Sequence, residues 1–177
     1  TKPSATAAAN VEAVVSAKRR VSAGLVVFVG VAAAYAYFLH ALPFTNAETR
    51  WALVRAIVEQ HSLSIDAYHA SIGDKALIDG HYYTDKAPGS SFLGVPFYAV
   101  LWYGSQVLGL ALSDPTAREI VRYLVVSLPS AALAWLLFRA MRQAGCSTPW
   151  AATLALAYAL GTPALPYSTL YYGHQTA

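Results

Sequence analysis

The chain has one cysteine and one methionine in 177 residues. Cys146 has no second thiol to pair with, which excludes an internal disulfide and a multi-cysteine metal centre, so the residue reads as a small buried hydrophobe. Charge is scarce too: Lys, Arg, Asp and Glu make up 12% of the sequence, and the net charge is +3. No Lys/Arg-rich run is interleaved with aromatics, which sets nucleic-acid binding aside. There is no internal repeat, and no His/Asp spacing forms a recognised metal-ligand motif.

Apolar residues are abundant, at 56% of the chain with a mean hydropathy of +0.42. That is too apolar for an ordinary soluble domain of this length, and it indicates a membrane protein. Residues 1–20 form an Ala/Ser/Thr-rich tail closed by Lys18, Arg19 and Arg20. From 21 to 42 no charge occurs, and about 20 apolar residues suffice to cross a bilayer, so this stretch is expected to span. A signal peptide is the competing reading, but its apolar region is nearer about 7 to 15 residues with a small-residue cleavage site, and "FLHALPF" is a poor one. The basic cluster ahead of the span predicts a cytoplasmic N-terminus and an external loop over 43–90.

That loop holds six of the nine acidic residues: Glu48, Glu59, Asp66, Asp74, Asp79 and Asp85. Within it, apolar Trp51, Val54, Ile57 and Val58 predict an amphipathic helix on the membrane surface, with Arg50, Arg55 and Glu59 exposed. The stretch "DGHYYTDKAPGSSFLGVP" begins at Asp79. Asp-Gly and Pro-Gly are strong turn dipeptides, so irregular structure or a small hairpin around Asp79-Gly80 is expected. Three further apolar stretches follow. Residues 91–113 carry a polar interruption, "WYGSQ", whereas 119–142 and 148–172 are candidates for transmembrane helices. Pro129 within the former predicts a kink near Leu124 to Ser130. Basic residues at both ends of 119–142 balance, so charge counting leaves the topology open.

The order of these features resembles the N-terminal module of GT-C superfamily membrane glycosyltransferases, particularly the protein O-mannosyltransferase and aminoarabinose-transferase-like branch. The resemblance is carried by "NAETRW" (Asn46 to Trp51), "DKAPG" (Asp85 to Gly89), the Arg cluster of "LLFRAMRQAG" and the late polar motif "YSTLYYGHQTA". It implies an all-α membrane protein with three spans, or four if 91–113 crosses, and a large external loop bearing juxtamembrane helices. Residues 91–113 would then be juxtamembrane or re-entrant.

The resemblance further implies transfer of a sugar from a polyprenyl-phosphate-linked donor on the outer face of a bacterial inner membrane or its equivalent. Glu48 would be the base and Asp85 a second acid, with Arg50, Lys86, His81 and His174 as substrate-side groups. A loop carboxylate of this family can also hold a divalent cation. Two departures count against activity: the acid that opens the first motif falls at Asn46 or Ala47, and the second motif has His174 where an acid is expected. The chain also has fewer spans than such enzymes and is expected to be too short to act alone. The alternative is a shortened, non-catalytic transmembrane subunit of a larger membrane complex. Small-residue faces, "GVAAAYA" and "AATLALAYALG", are expected to make close helix contacts under either reading.

Overall fold

The computed structural model describes residues 23–38 and 45–171. The tail over 1–20, the ends of the first expected span and His174 lie outside them. The described residues are mostly helical: α1 (Ala23–Tyr37), α2 (Thr45–Glu59), α3 (Gly89–Leu108), α4 (Asp114–Arg122), α5 (Leu128–Gln143), α6 (Thr148–Gly161) and α7 (Ala164–Thr169). A hairpin of β1 (Lys75–Ile78) and β2 (His81–Thr84) joins α2 to α3, so the expectation of an all-α chain is corrected by one strand pair. Its register pairs Lys75 with Thr84 and Ile78 with His81. The connecting residues both have positive φ, 51° at Asp79 and 84° at Gly80, as a two-residue turn matched to strand twist demands.

Helices α4 and α5 form one continuous element, Asp114–Gln143, of 30 residues. At 1.5 Å per residue it reaches about 45 Å, enough for a hydrocarbon core of about 30 Å. Among the described residues it is the one helix long and apolar enough to cross a membrane. The expected span over 148–172 is instead broken after Gly161, because Thr162 turns extended and Pro163 cannot continue the helix. Helix α3 carries Pro96 inside it and closes on left-handed Gly109.

Within the long helix, Tyr123–Ser127 widens from α geometry into a π turn immediately before Pro129. Proline removes one ladder donor, and a wide turn is one way a helix absorbs such a defect. What lies at the place of the expected kink is a widened turn. Ser130 Oγ donates to Val126 O at 2.7 Å, and Ser127 Oγ donates to Ser168 O at 2.8 Å, tying the wide turn to α7.

Three apolar clusters organise the packing. One joins α1, α5 and α6 through Val31, Tyr35, Ala134 and Phe138 and the stripe Ala151, Ala155, Ala159. Small residues at this spacing let helix backbones approach closely. The two small-residue faces expected to make close helix contacts supply Ala32, Tyr35, Ala151, Ala155 and Ala159 to this chain's own interior. A second cluster joins α2, α3 and the first half of the long helix through Trp51, Val54, Tyr98, Val121 and Tyr171. The third seats the segment around the hairpin on α2 through Leu53, Ala56, Ile65 and Ile72.

Helix α2 is consequently enclosed rather than laid on a surface. Arg50 is buried, and the Glu59 side chain is 9% exposed, both against expectation. Each charge finds enough partners inside to replace water, and the hairpin and α3 can then close over the helix.

Candidate functional site

The loop between α1 and α3 folds into a polar cap over the start of the long helix. Trp51 Nε1 donates to Asp114 Oδ1 at 2.9 Å, and Arg55 Nη1 lies 3.1 Å from the same oxygen. Arg118 Nη1 donates to Glu48 Oε1 and completes the seam between α2 and α4. Asp114 follows the N-cap Ser113 and stands in the first turn of α4, where a carboxylate complements the helix dipole.

These residues border a cavity of about 350 Å³, lined by Glu48, Trp51, Arg55, Tyr68, Ile72 and Asp114 among others. Among the described residues Glu48 Oε2 has no hydrogen-bond partner, while Oε1 is held by Arg118. A carboxylate has about four acceptor sites. One oxygen is thus fixed, and the other is available to a proton.

Behind the cavity, Glu59 gathers three donors: Arg55 Nε at 2.8 Å, Tyr98 Oη at 2.6 Å and Tyr68 Oη at 3.0 Å. Burial pushes its carboxyl up, but the hydrogen bonds from Arg55, Tyr98 and Tyr68 and the Arg55 charge outweigh that and hold it below its ordinary value. The Arg55 guanidinium lies 4.2 Å over the Tyr68 ring. Arg55 therefore bridges Glu59 and Asp114 while stacking on an aromatic face, a planar role that lysine would not reproduce.

The expected site residues are distributed over separate places. Glu48 lines the cavity. Arg50 does not reach out to a ligand: its Nη1 donates to Ala87 O and Ser90 Oγ, each at 2.8 Å, and Nε donates to Asn46 Oδ1 at 3.1 Å. Burial lowers its pKa, with Tyr171 and Asp85 acting in the opposite sense. Arg50 is thus the clasp that fixes "DKAPG" to α2, a tie of motif to motif across 37 residues.

Asp85 and Lys86 form an ion pair at 3.1 Å, and Lys86 Nζ also lies 3.3 Å from Asp74 Oδ2. The hydrogen bond that Lys86 donates to Asp85 raises its pKa, with Asp74 adding to it. Neither Asp85 nor Lys86 is among the described residues lining the Glu48 cavity.

His81 Nδ1 and Asp66 Oδ2 are 2.7 Å apart at the exposed edge of the hairpin. Asp66 Oδ1 also accepts from Tyr82 N at 2.6 Å. Hydrogen bonding from Ser64, Tyr82 and His81 holds the Asp66 carboxyl well below the usual carboxylate range. His69 stacks on Tyr82 with centroids 4.2 Å apart. His81 is therefore placed to brace the hairpin rather than to face the cavity.

Sequence reasoning missed Arg55, Asp114 and Arg118 as members of the site. Asp114 carried a readable signal, since "SDP" is a helix start immediately before an apolar run. Arg118 carried none, because its partner is 70 residues away. The family resemblance also allows a divalent cation, but among the described residues no three His, Cys, Asp or Glu side chains converge as ligands. Comparison with protein-family models, with curated proteins and with solved structures finds no match for this chain.

Proposed function

We propose that this chain is the N-terminal module of a GT-C-like membrane glycosyltransferase that uses a polyprenyl-phosphate-linked sugar. In this reading it has three spans: the helix containing α1, the long helix Asp114–Gln143, and the α6 to α7 segment. Helix α3 stays with the cap on the outer side, pinned to α2 by Tyr98 on Glu59 and Ser91 Oγ on Arg50 O at 3.0 Å. The observation that carries the reading is Glu48, held by Arg118 through one oxygen, beside a polar cavity at the head of a membrane-length helix.

The chemistry needs little more. An acceptor hydroxyl gives its proton to Glu48 Oε2 as its oxygen bonds to the anomeric carbon. The bond from that carbon to the phosphate oxygen breaks, and polyprenyl phosphate leaves with the electron pair. A positioned carboxylate of this kind contributes about 10² to 10⁴ in rate. The Arg55 and Arg118 guanidiniums supply positive charge near the cavity, where an anion departs.

The competing reading is a non-catalytic membrane subunit. It draws on a specific observation: Asp85, Lys86, Arg50 and His81 are all already partnered within the chain. Reconstituting the full-length protein in liposomes with a polyprenyl-phosphate-linked sugar decides between them. Transfer to acceptor on the cap side is the expected result. No transfer with any donor, together with co-purification in a stable complex, would favour the subunit.

A further inference from the structure

The hairpin has two outer edges, and the chain closes one of them. A two-residue turn makes Ile78 and His81 a hydrogen-bonded pair, so Leu77 and Tyr82 form the next, non-bonded pair, with their N–H and C=O groups turned outward. On the β2 side both outward groups of Tyr82 are taken. Its N–H donates to Asp66 Oδ1 at 2.6 Å, and its carbonyl accepts from Ile65 N at 2.8 Å. On the β1 side, among the described residues, the N–H and C=O of Leu77 meet no partner.

The side chains repeat the contrast. Leu77 is 61% exposed and Ile78 54%. An open edge that carries exposed aliphatic residues is a template for another strand. Charge narrows what that strand can be. Lys75 stands at one end of the edge and Asp79 at the other, and opposite charges at the two ends complement each other when such a strand meets its own copy antiparallel.

We propose that β1 pairs antiparallel with β1 of a second copy of this chain, on a two-fold axis at Leu77, joining two hairpins into one four-stranded sheet. The two Leu77 residues then exchange both backbone hydrogen bonds, Ala76 of each copy comes opposite Ile78 of the other, and Lys75 comes opposite Asp79. Small faces large, and ammonium faces carboxylate, twice each by symmetry. Moving the axis to Ala76 would set Lys75 against Leu77 and leave Asp79 outside the pairing. Both charged groups have capacity to spare. Lys75 Nζ spends one of its three donors on His69 O at 2.6 Å, and among the described residues the Asp79 carboxylate has no partner. Because β1 has only four residues, this contact stays below the roughly 1,200 Å² of a stable complex, which makes the dimer a weak and reversible one. The inference stands apart from sugar transfer and from which helices span.

The test uses the full-length protein in detergent, with Cys146→Ser as background and a short thiol-specific crosslinker. Leu77→Cys should crosslink to itself. Lys75→Cys and Asp79→Cys should each crosslink poorly alone and join to one another when the two variants are mixed. In sedimentation equilibrium, Leu77→Lys should weaken self-association at least about tenfold by placing like charges on the axis. Lys75→Gln and Asp79→Asn should each weaken it about threefold, and the double variant by less than the product of the two. Asparagine tolerates the positive φ of position 79, and Leu77 is at the surface, so these variants keep the hairpin. A chain that stays monomeric at about 100 μM would overturn the proposal and leave the edge to a strand of another protein. So would association unchanged by Leu77→Lys, or Lys75→Cys joining itself in preference to Asp79→Cys.

Discussion

Trp51 Nε1 donates to Asp114 Oδ1 across 63 residues of sequence, and this bond joins the cap to the first turn of the long helix. Arg55 shares the same oxygen at 3.1 Å. Trp51→Phe would keep most of the buried ring and remove only the donor. A loss of about 1 kcal/mol in stability is expected, the usual worth of one hydrogen bond, because Arg55 still satisfies Asp114. Chemical unfolding in detergent checks it.

Gly94 marks the closest approach of α3 to its neighbours. A Cβ there would run into Tyr171 Oη and lie 3.1 Å from Val121 Cγ1 and 3.2 Å from Val54 Cγ2. Gly94→Ala should therefore destabilise by about 1 to 3 kcal/mol through overpacking. Most of the clash comes from one hydroxyl, the same one that donates to Ser90 O at 2.9 Å. Combined with Tyr171→Phe, the substitution should cost less than the sum of the two single changes, and a double-mutant cycle measures the difference.

The Glu59 cluster gives the cap an acid-sensitive element. Its folded pKa is held below the ordinary carboxylate value, so its contribution to stability is fully present above that value, about 4.3. The contribution is lost as pH falls towards the folded value. Unfolding followed from pH 7 down to pH 3 should show a steeper loss for the natural chain than for Glu59→Gln. The variant should be the less stable of the two at pH 7, where Arg55, Tyr68 and Tyr98 still need an anionic acceptor.

The long helix makes a topological prediction. Thr116 is near its start, on the cap side, and Cys146 lies just past its end at Gln143. A membrane-impermeant maleimide should label Thr116→Cys from outside, with Cys146 replaced by Ser, and should reach the native Cys146 only from the cytoplasmic side. Labelling of both from the same face would mean that Asp114–Gln143 does not cross.

What the sequence disclosed was local. The hairpin was readable because Asp79-Gly80 is a turn that needs positive φ at both residues. Pro129 marked the place of the widened turn, because a proline inside a helix removes a ladder donor. The break after Gly161 was underrated, although "GTP" is a clear stop signal.

The cap was misread for a different reason. Arg50, Arg55 and Glu59 occur at spacings that suit a solvated helix face, but the places they take depend on partners far along the chain: Ala87 and Ser90 for Arg50, Asp114 for Arg55, Tyr98 for Glu59. No periodicity encodes those contacts. The same holds for Arg118, whose pairing with Glu48 turns an ordinary first-turn acid into an oriented one.

The central claim is that Glu48 is the base for sugar transfer at the cap. The most direct measurement is the rate of transfer from a polyprenyl-phosphate-linked sugar by the full-length protein carrying Glu48→Gln, at saturating donor. The amide keeps an acceptor for Arg118, so folding and donor KM should hold while kcat falls about 100-fold or more. A Glu48→Gln protein that transfers sugar at the natural rate would contradict the account.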